Sequence, residues 1–361
     1  AAAARVAVVL SDDSAPYQEA YQAIRTYLDH TPHEVSRLYA KGLTASALNE
    51  AHLAVAVGVR AAETLAAVAD RPPVLAVLVP RAWYVKTGRV QLGDGGRHVA
   101  SAIYLDQPFE RQVRLIRLAF PELRRVGVVL SAEQSGLADE LGEVLRAQRL
   151  GLVHQTMAAG ERLIRPLENV LSGADLLLAV PDPGVFNRNT AQSLFLTSYR
   201  YRVPVLGYSR SLTRAGALLS LHSSPAQIGH QTAEWVDSAL QGPVVRLPPP
   251  AHPTYSSVSV NEQVADLFKE MKHYEGEVEK AETTGDVEKR ESTVRQCHRG
   301  GGLASLSQLL EPNRNQPKWK VADRVRRALN PSRHSRRSNG SELKIDPDAV
   351  FAHAEIKRRG V

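Results

Sequence analysis

Apolar positions run unbroken from Val6 to Leu10 within RVAVVLS at 5–11, stop at the turn cluster SDDSAP, and then recur every three to four residues at Tyr17, Ala20, Tyr21, Ile24 and Leu28. A continuous apolar run bounded by turn residues predicts a strand buried on both faces of a parallel sheet, and the three-to-four spacing predicts a helix with one face on that sheet. The plan repeats at RRVGVVLS, 124–131, which feeds GLADELGEVLRAQ. Between the two copies, EVSRLYA (34–40), LAVAVGV (53–59) with the helix AAETLAAVA, and PVLAVLVP (73–80) complete a lobe of alternating strands and helices. SAIYLDQP at 101–108 predicts a strand leading out of that lobe into a helix with Phe109, Val113, Ile116 and Phe120 on one side.

The second lobe reads as VGVVLS (126–131), a helix over 136–149, GLVHQTM (151–157), the helix LIRPLENVLSG, ADLLLAVPD (174–182), the helix TAQSLFLTSYRY, VPVLGYS (203–209) and ALLSLHSS (217–224). A long helix, PAQIGHQTAEWVDSALQG, follows; VVRLPPPAHP (244–253) reads as an extended connector and TYSSVSVN (254–261) as a last strand. Residues 81–99 lose the pattern, and GRVQLGDGG reads there as a polar hairpin or loop outside the core. GDGGRH is not a phosphate loop, because it lacks both the Lys-Ser/Thr ending and the GxGxxG spacing.

The predicted fold class is therefore α/β, with two similar open parallel-sheet lobes joined by hinge strands. The first lobe takes residues 1–107 with 222–250, the second 108–221 with 251–265, and a polar basic tail 266–361 follows. Its length, 361 residues, suits two or three units. With 43% hydrophobic and 23% charged residues the chain has a globular composition, and no apolar run approaches the roughly 20 residues of a membrane helix. The single cysteine, Cys297, excludes an internal disulfide and any multi-cysteine metal site. A start on four alanines rather than Met leads to an expectation of export, with a signal peptide already removed.

Lys and Arg outnumber Asp and Glu by only 25 to 23 in residues 1–265, but by 20 to 15 in 266–361. The excess charge lies mainly in the tail. Too few apolar residues occur there to build a core, so disorder with short helices is expected, the best around 319–329 where Val321, Val325 and Leu329 share a stripe. Three roles compete for it: a solvated extension, a basic arm touching anionic lipid or nucleic acid through Trp319 and the Arg cluster 324–337, and a helix that docks on a partner. The chain contains no HExxH or GxSxG, its twelve histidines lack metal spacing, and Asp12–Asp13 sits in a loop where capping explains it. No catalytic residue, metal or cofactor is expected.

The opening VAVVLSDDSAPYQEAYQAI, the segment YLDQPFERQVRLIRLAFPELRRVGVVLSAEQSG, and then AVPDPGVFNRN, VPVLGYSRSLTRAGALLSL and SSVSVNEQVA follow one another over residues 5–265. In that order they resemble the periplasmic substrate-binding proteins of ABC transporters with the type I fold, in particular the branch associated with aromatic amino acids. The resemblance implies a bacterial periplasmic or exported monomer that closes its lobes over an amino acid or organic acid and delivers it to a membrane permease. The chain departs from the family in its tail, since proteins of this kind end soon after the Val-Asn strand. Two other readings share the architecture: a ligand-sensing domain partnering a sensory or regulatory protein, and a scaffold with a decayed ligand site that acts through the basic tail. A DNA-binding regulator would carry a helix-turn-helix ahead of the first strand, where only four alanines precede Arg5.

Ligands of open parallel sheets bind beyond the carboxyl ends of the strands, where helix N-termini present unpaired N–H groups. Under the resemblance the first-lobe candidates are Ser11, Ser14 and Tyr17, then Gly58, then Pro80 and Arg81. Those of the second lobe are Ser131, Gln134 and Ser135, then Asp182 and Asn187, then Tyr208. Hydroxyls and helix N-termini suit a carboxylate, Asp182 an ammonium, and Tyr17 a hydrophobic group. Each has a plainer reading: Ser11, Ser14 and Ser135 as helix caps, Tyr17 as core, Asp182 before Pro183 as a turn, and Arg81 as a solvated surface residue.

Overall fold

A computed structural model describes residues 3–93, 96–158, 160–268 and 343–345. In chain order, β1 (Arg5–Leu10), α1 (Ala15–Leu28), β2 (Glu34–Tyr39), β3 (Leu53–Val57), α2 (Val59–Ala66) and β4 (Val74–Val79) come first. The helical run α3 (Arg81–Trp83), a π turn (Tyr84–Gly88) and α4 (Arg89–Gly93) leads to β5 (Ala100–Tyr104). Next come α5 (Phe109–Ala119), β6 (Arg125–Ser131), α6 (Leu137–Ala147), β7 (Gly151–Met157), α7 (Ile164–Leu171), β8 (Leu176–Leu178), α8 (Arg188–Arg200), β9 (Val205–Gly207), α9 (Arg210–Ala215) and β10 (Leu219–His222). The chain continues through α10 (Pro225–Ala239) and β11 (Ser256–Val260), and Leu343–Ile345 forms a short β12.

These elements sort into two α/β units with parallel-dominated sheets. Among the described residues, the first comprises 3–108 with Leu221–Ser257, and the second contains Phe109–Ser220 with Val258–Phe268. Residues 251–257 therefore pack with the first unit, where a boundary at 250–251 was expected. Ala251 bridges Ile103, the Thr254 N–H donates to Gln231, and the Tyr255 hydroxyl donates to Glu234.

The first sheet runs β2-β1-β3-β4-β5, with every neighbouring pair parallel. Val6 to Leu10, all of β3 and all of β4 are buried, as strands covered on both faces must be. One face packs on α1 and α10 through Val6, Val8, Val55 and Leu75, the other on α2 and α4 through Ala7, Val9, Ala54 and Ala76. At the helix pair, Gly229 lets the backbones approach closely: a Cβ there would lie 2.5 Å from the Ala20 carbonyl oxygen.

The expected polar hairpin at GRVQLGDGG is replaced by helix through Gly93. Tyr84 and Leu92 are buried on the sheet, and the Trp83 ring covers Gly88, whose absent side chain makes room for it. A further departure from regularity lies in β4. Leu78, a non-glycine residue at φ 55°, sits where the register slips, so that Val77 pairs with Ile103 and Val79 with Tyr104. Val77 and Leu78 consequently face the same core, and the alternation resumes inverted at Val79.

The second sheet has the order β12-β11-β10-β9-β8-β6-β7, with parallel pairing from β7 through β10. Its core gathers Val129, Leu167, Val170, Leu177, Leu194 and Phe195 between the sheet, α7 and α8. A helix over 262–268 extends past the expected end of the lobe at 265, and the Phe268 ring meets Tyr199 edge-on. Apart from 343–345, the expectations for the rest of the tail, Trp319 and the Arg cluster included, lie outside the described residues. Among the described residues no helix is long and apolar enough to cross a membrane.

Candidate functional site

In the first unit, the end of β1 meets the start of α2. The Ser11 hydroxyl donates to the Val57 carbonyl at 2.9 Å and accepts from the Ala61 N–H at 3.0 Å. It thus caps α2 from fifty residues away in sequence, with its one proton spent on the Val57 carbonyl. Gly58 precedes α2 at φ 91°, ψ 165°, a conformation essentially restricted to glycine. A Cβ on it would lie 2.5 Å from Ser11 Oγ and 2.7 Å from the Tyr17 hydroxyl oxygen. Burial raises the Tyr17 phenol above its ordinary value, helped by the charge of Asp12 and opposed by its hydrogen bond with Ser11.

Ser11, Tyr17 and Gly58 therefore form one cradle at the N-terminus of α2. Ser14 stands beside it with another task. It occupies the N-cap position of α1 without a side-chain cap bond, and its N–H donates to Asp12 Oδ1 at 2.9 Å. Hydrogen bonds from the Ser14 side chain and backbone hold the Asp12 carboxyl below its usual range.

Pro80 and Arg81 follow the bulge in β4. The Arg81 N–H donates to Asp106 Oδ2 at 2.6 Å, so Asp106 caps the helical run that begins there. His252 Nδ1 lies 2.8 Å from the Asp106 carbonyl oxygen, and the His252 ring meets Tyr104 edge-on. The sequence reading missed Asp106, although it follows the carboxyl end of a strand, the criterion that picked the other candidates.

Desolvation raises the Asp106 carboxyl above its ordinary 3.8, with the Arg81 N–H and His252 pulling the other way. A carboxyl raised in the fold favours the protonated state there. Its contribution to stability is present below the ordinary value and is lost as pH rises through the folded one. Asp106→Asn keeps an acceptor for the Arg81 N–H and cannot ionise. Its stability relative to wild type is expected to climb with pH through that window and then level off. Urea melts of both proteins between pH 3.5 and 7 check this; a difference independent of pH would contradict it.

In the second unit Asp182, almost fully buried, binds the loops after β6 and β8 together. Its Oδ2 accepts from the Ser131 N–H at 2.7 Å and its Oδ1 from the Gly184 N–H at 3.0 Å. Gln134 Nε2 donates to the Pro181 carbonyl at 3.0 Å across the same gap. Tyr208, at the end of β9, stands perpendicular to Phe186 with 6.1 Å between ring centres. Its phenol is raised by burial and then by the Asp182 charge.

Ser131, Gln134, Asp182 and Tyr208 are thereby brought together. Ser135 and Asn187 are engaged locally. Ser135 donates to the Ala132 carbonyl, and Asn187 caps α8 by accepting from the Asn189 and Thr190 N–H groups in a reciprocal capping box. Phe186 escaped the sequence reading, its signal being an aromatic residue in the loop that follows β8. Among the described residues no cluster of three or more His, Cys, Asp or Glu could hold a metal.

The sequence pattern of the family described as ABC transporter substrate binding protein matches residues 47–269, more than half of the chain. The chain belongs to this family. Substrate-binding proteins of ABC importers take a small-molecule ligand, work with a membrane permease and are periplasmic or exported. No protein of curated function matches the sequence. Among solved structures, a conserved domain protein from Vibrio cholerae aligns at 21% identity and TM-score 0.50, covering 74% of this chain and 94% of its own. A substrate binding protein with adhesive properties from Clostridium difficile, ligand-free and open, aligns at 14% identity and TM-score 0.59, with coverages of 74% and 95%. An ABC domain in complex with L-Trp from Streptococcus pneumonia aligns at 16% identity and TM-score 0.48, with coverages of 74% and 95%. Likeness at such identities fixes the two-lobed fold and leaves the ligand open.

Proposed function

We propose that this substrate-binding protein is the receptor of an uptake system for an amino acid or a related organic acid, delivering it to a membrane permease. One observation carries the ligand class: the strand ends of the two units present opposite chemistries. In the first unit α2 opens from Gly58 beside the Tyr17 hydroxyl, and a helix start with a phenol next to it suits a carboxylate. In the second, the Asp182 carboxylate lies beside the Phe186–Tyr208 aromatic pair, which suits an ammonium and an apolar side chain. Two backbone N–H groups already use Asp182, one on each oxygen, and each oxygen keeps a further lone pair for a ligand.

A thermal-shift panel of amino acids, organic acids and sugars on the full chain tests the assignment. A true ligand at a hundredfold over its dissociation constant stabilises the protein by about 2.7 kcal/mol. The expected hit is an amino acid or organic acid. Tyr17→Phe, which removes only the hydroxyl, should weaken that hit by roughly tenfold, about 1.4 kcal/mol. A response to sugars alone would overturn the ligand class, and an unchanged affinity in Tyr17→Phe would remove Tyr17 from the site.

A further inference from the structure

Among the described residues three non-glycine residues have positive φ: Leu78 at 55°, Arg149 at 56° and Arg202 at 57°. Arg149 and Arg202 each stand two residues past the end of a helix, α6 and α8, where a left-handed residue is a common way to stop one. Leu78 lies inside strand β4, and no helix end accounts for it. A leucine held there costs free energy, because its Cβ crowds the following carbonyl oxygen. Burial of its side chain in the core that Val77 shares offsets part of that cost.

The extra residue is not needed to build the sheet. Val77 pairs with Ile103 and Val79 with Tyr104, and those two valines face opposite cores, so β4 would keep both register and alternation without Leu78. What a bulge adds is a local bend and a stronger twist. That bend falls between two hydrogen bonds. On one side the Val77 carbonyl accepts from the Gly58 N–H at 2.9 Å, and on the other the Val79 carbonyl accepts from the Leu105 N–H at 2.9 Å. The first bond holds the opening of α2, where Gly58 lies beside Ser11 and Tyr17. The second holds the residue before Asp106, which accepts the Arg81 N–H at 2.6 Å. One bulge therefore sets how the two groups of strand-end residues in the first unit stand to one another.

We propose that Leu78 is a positioning residue for the ligand site of the first unit, its left-handed backbone bending the end of β4 so that Gly58 and the start of the 81–93 run keep the offset that ligand contact requires. This rests on the receptor reading above. Affinity then depends on the backbone conformation at 78 and not on the leucine side chain.

Three substitutions at this position separate the two. Leu78→Met keeps an unbranched side chain of similar volume, Leu78→Gly keeps positive φ open but empties the core, and Leu78→Ile keeps the volume but carries a β-branch that resists positive φ. Each full-length variant is titrated with the compound that stabilises the wild type most in the thermal-shift panel, and its amide exchange is followed with nothing added. Leu78→Ile should bind at least about tenfold more weakly, because it drives β4 toward a regular strand. Its Gly58 and Leu105 N–H groups should both exchange faster, while the Ala54 and Val74 N–H groups, which bond Pro73 and Val99 at the opposite end of the strands, keep wild-type protection. Leu78→Gly should melt lowest of the three yet bind within about threefold of wild type, as Leu78→Met does.

Affinity that instead follows melting temperature, weakest in Leu78→Gly, would make Leu78 a core residue only and overturn the proposal. Wild-type affinity in Leu78→Ile would do the same, and either result leaves the receptor reading standing. If Leu78→Ile does not fold, Leu78→Gly decides: weak binding by the folded variant contradicts the proposal, and near-wild-type binding despite the lost side chain supports it. A panel in which nothing stabilises the wild type would sink the receptor reading and this proposal together.

Discussion

Arg71→Met is expected to destabilise the first unit by about 3 to 5 kcal/mol, the range for breaking a buried charged network. Arg71 is only 7% exposed. Its Nη1 donates to the Ala66 and Val68 carbonyls at 3.2 and 2.8 Å, and its Nη2 to the Gln91 and Leu92 carbonyls at 3.1 and 2.8 Å. These are the closing carbonyls of α2 and α4, the negative ends of two helix dipoles, so one guanidinium serves two C-termini at once. Methionine fills much of the same volume but donates nothing. The buried carbonyls must then find water or go unpaired, at about 1 to 3 kcal/mol for each that stays unpaired.

Arg71→Lys should recover only part of the loss, because an ammonium offers a point charge and three donors in place of a planar fork that reaches both helices. Guanidinium melts of the full chain supply the free energies, and amide exchange across residues 81–93 reports whether the α4 end has come loose. A loss below about 1 kcal/mol with unchanged exchange would mean that water replaces the guanidinium without cost.

Arg71 also explains why one part of this fold could not be read in advance. Strands β1, β3 and β4 are plain in the sequence because both faces are covered, and the apolar run is the direct record of that burial. Helix α1 is equally plain, since Ala20, Tyr21, Ile24 and Leu28 mark its inward stripe. Residues 81–93 carry no such record. The run is three short helical pieces, one of them a π turn, stabilised by an arginine ten residues upstream, an aspartate beyond the next strand and a tryptophan lying on Gly88. Every one of those contacts is tertiary.

The site divides in the same way. Position at a strand end was legible and drew in Ser11, Gly58, Ser131 and Asp182. What each does was not legible, since the Ser11 hydroxyl bonds Val57 and Ala61 far away in sequence, and Asp182 is joined to the Ser131 N–H fifty-one residues before it. The inverted alternation at Leu78 leaves no trace in an apolar run, because Val77, Leu78 and Val79 are all apolar and read alike on either face. Phe186 and Asp106 lie in loops, where no periodicity points to them.

Gly58→Ala should damage stability and ligand binding together, and Gly42→Ala separates the causes. Both glycines have positive φ, 91° and 82°, but a Cβ at Gly42 meets nothing within 4 Å, whereas at Gly58 it meets Ser11 Oγ at 2.5 Å and the Tyr17 hydroxyl at 2.7 Å. Backbone strain alone costs about 1 to 2 kcal/mol for a residue forced to positive φ, and that is the expected loss for Gly42→Ala. Gly58 carries a similar or larger strain. Its new methyl group must also displace the Ser11 hydroxyl, which cannot move without giving up its bonds to Val57 and Ala61. A further 1 to 3 kcal/mol, roughly, follows from leaving the buried Ala61 N–H unpaired, whereas the Val57 carbonyl keeps the Ser11 backbone N–H.

The total for Gly58→Ala should therefore reach about 2 to 5 kcal/mol. Because the same methyl pushes Tyr17 aside at the opening of α2, affinity for any ligand found in the panel should fall by tenfold or more, while Gly42→Ala binds as wild type does. Chemical denaturation and ligand titration of the two variants side by side give both readings. Equal stability losses would reduce Gly58 to a turn glycine, and wild-type affinity in Gly58→Ala would move the ligand away from the α2 terminus. A large loss of affinity confined to Gly58→Ala ties the ligand to the turn that Ser11 and Tyr17 close, because Gly42→Ala also carries positive-φ strain but crowds no side chain.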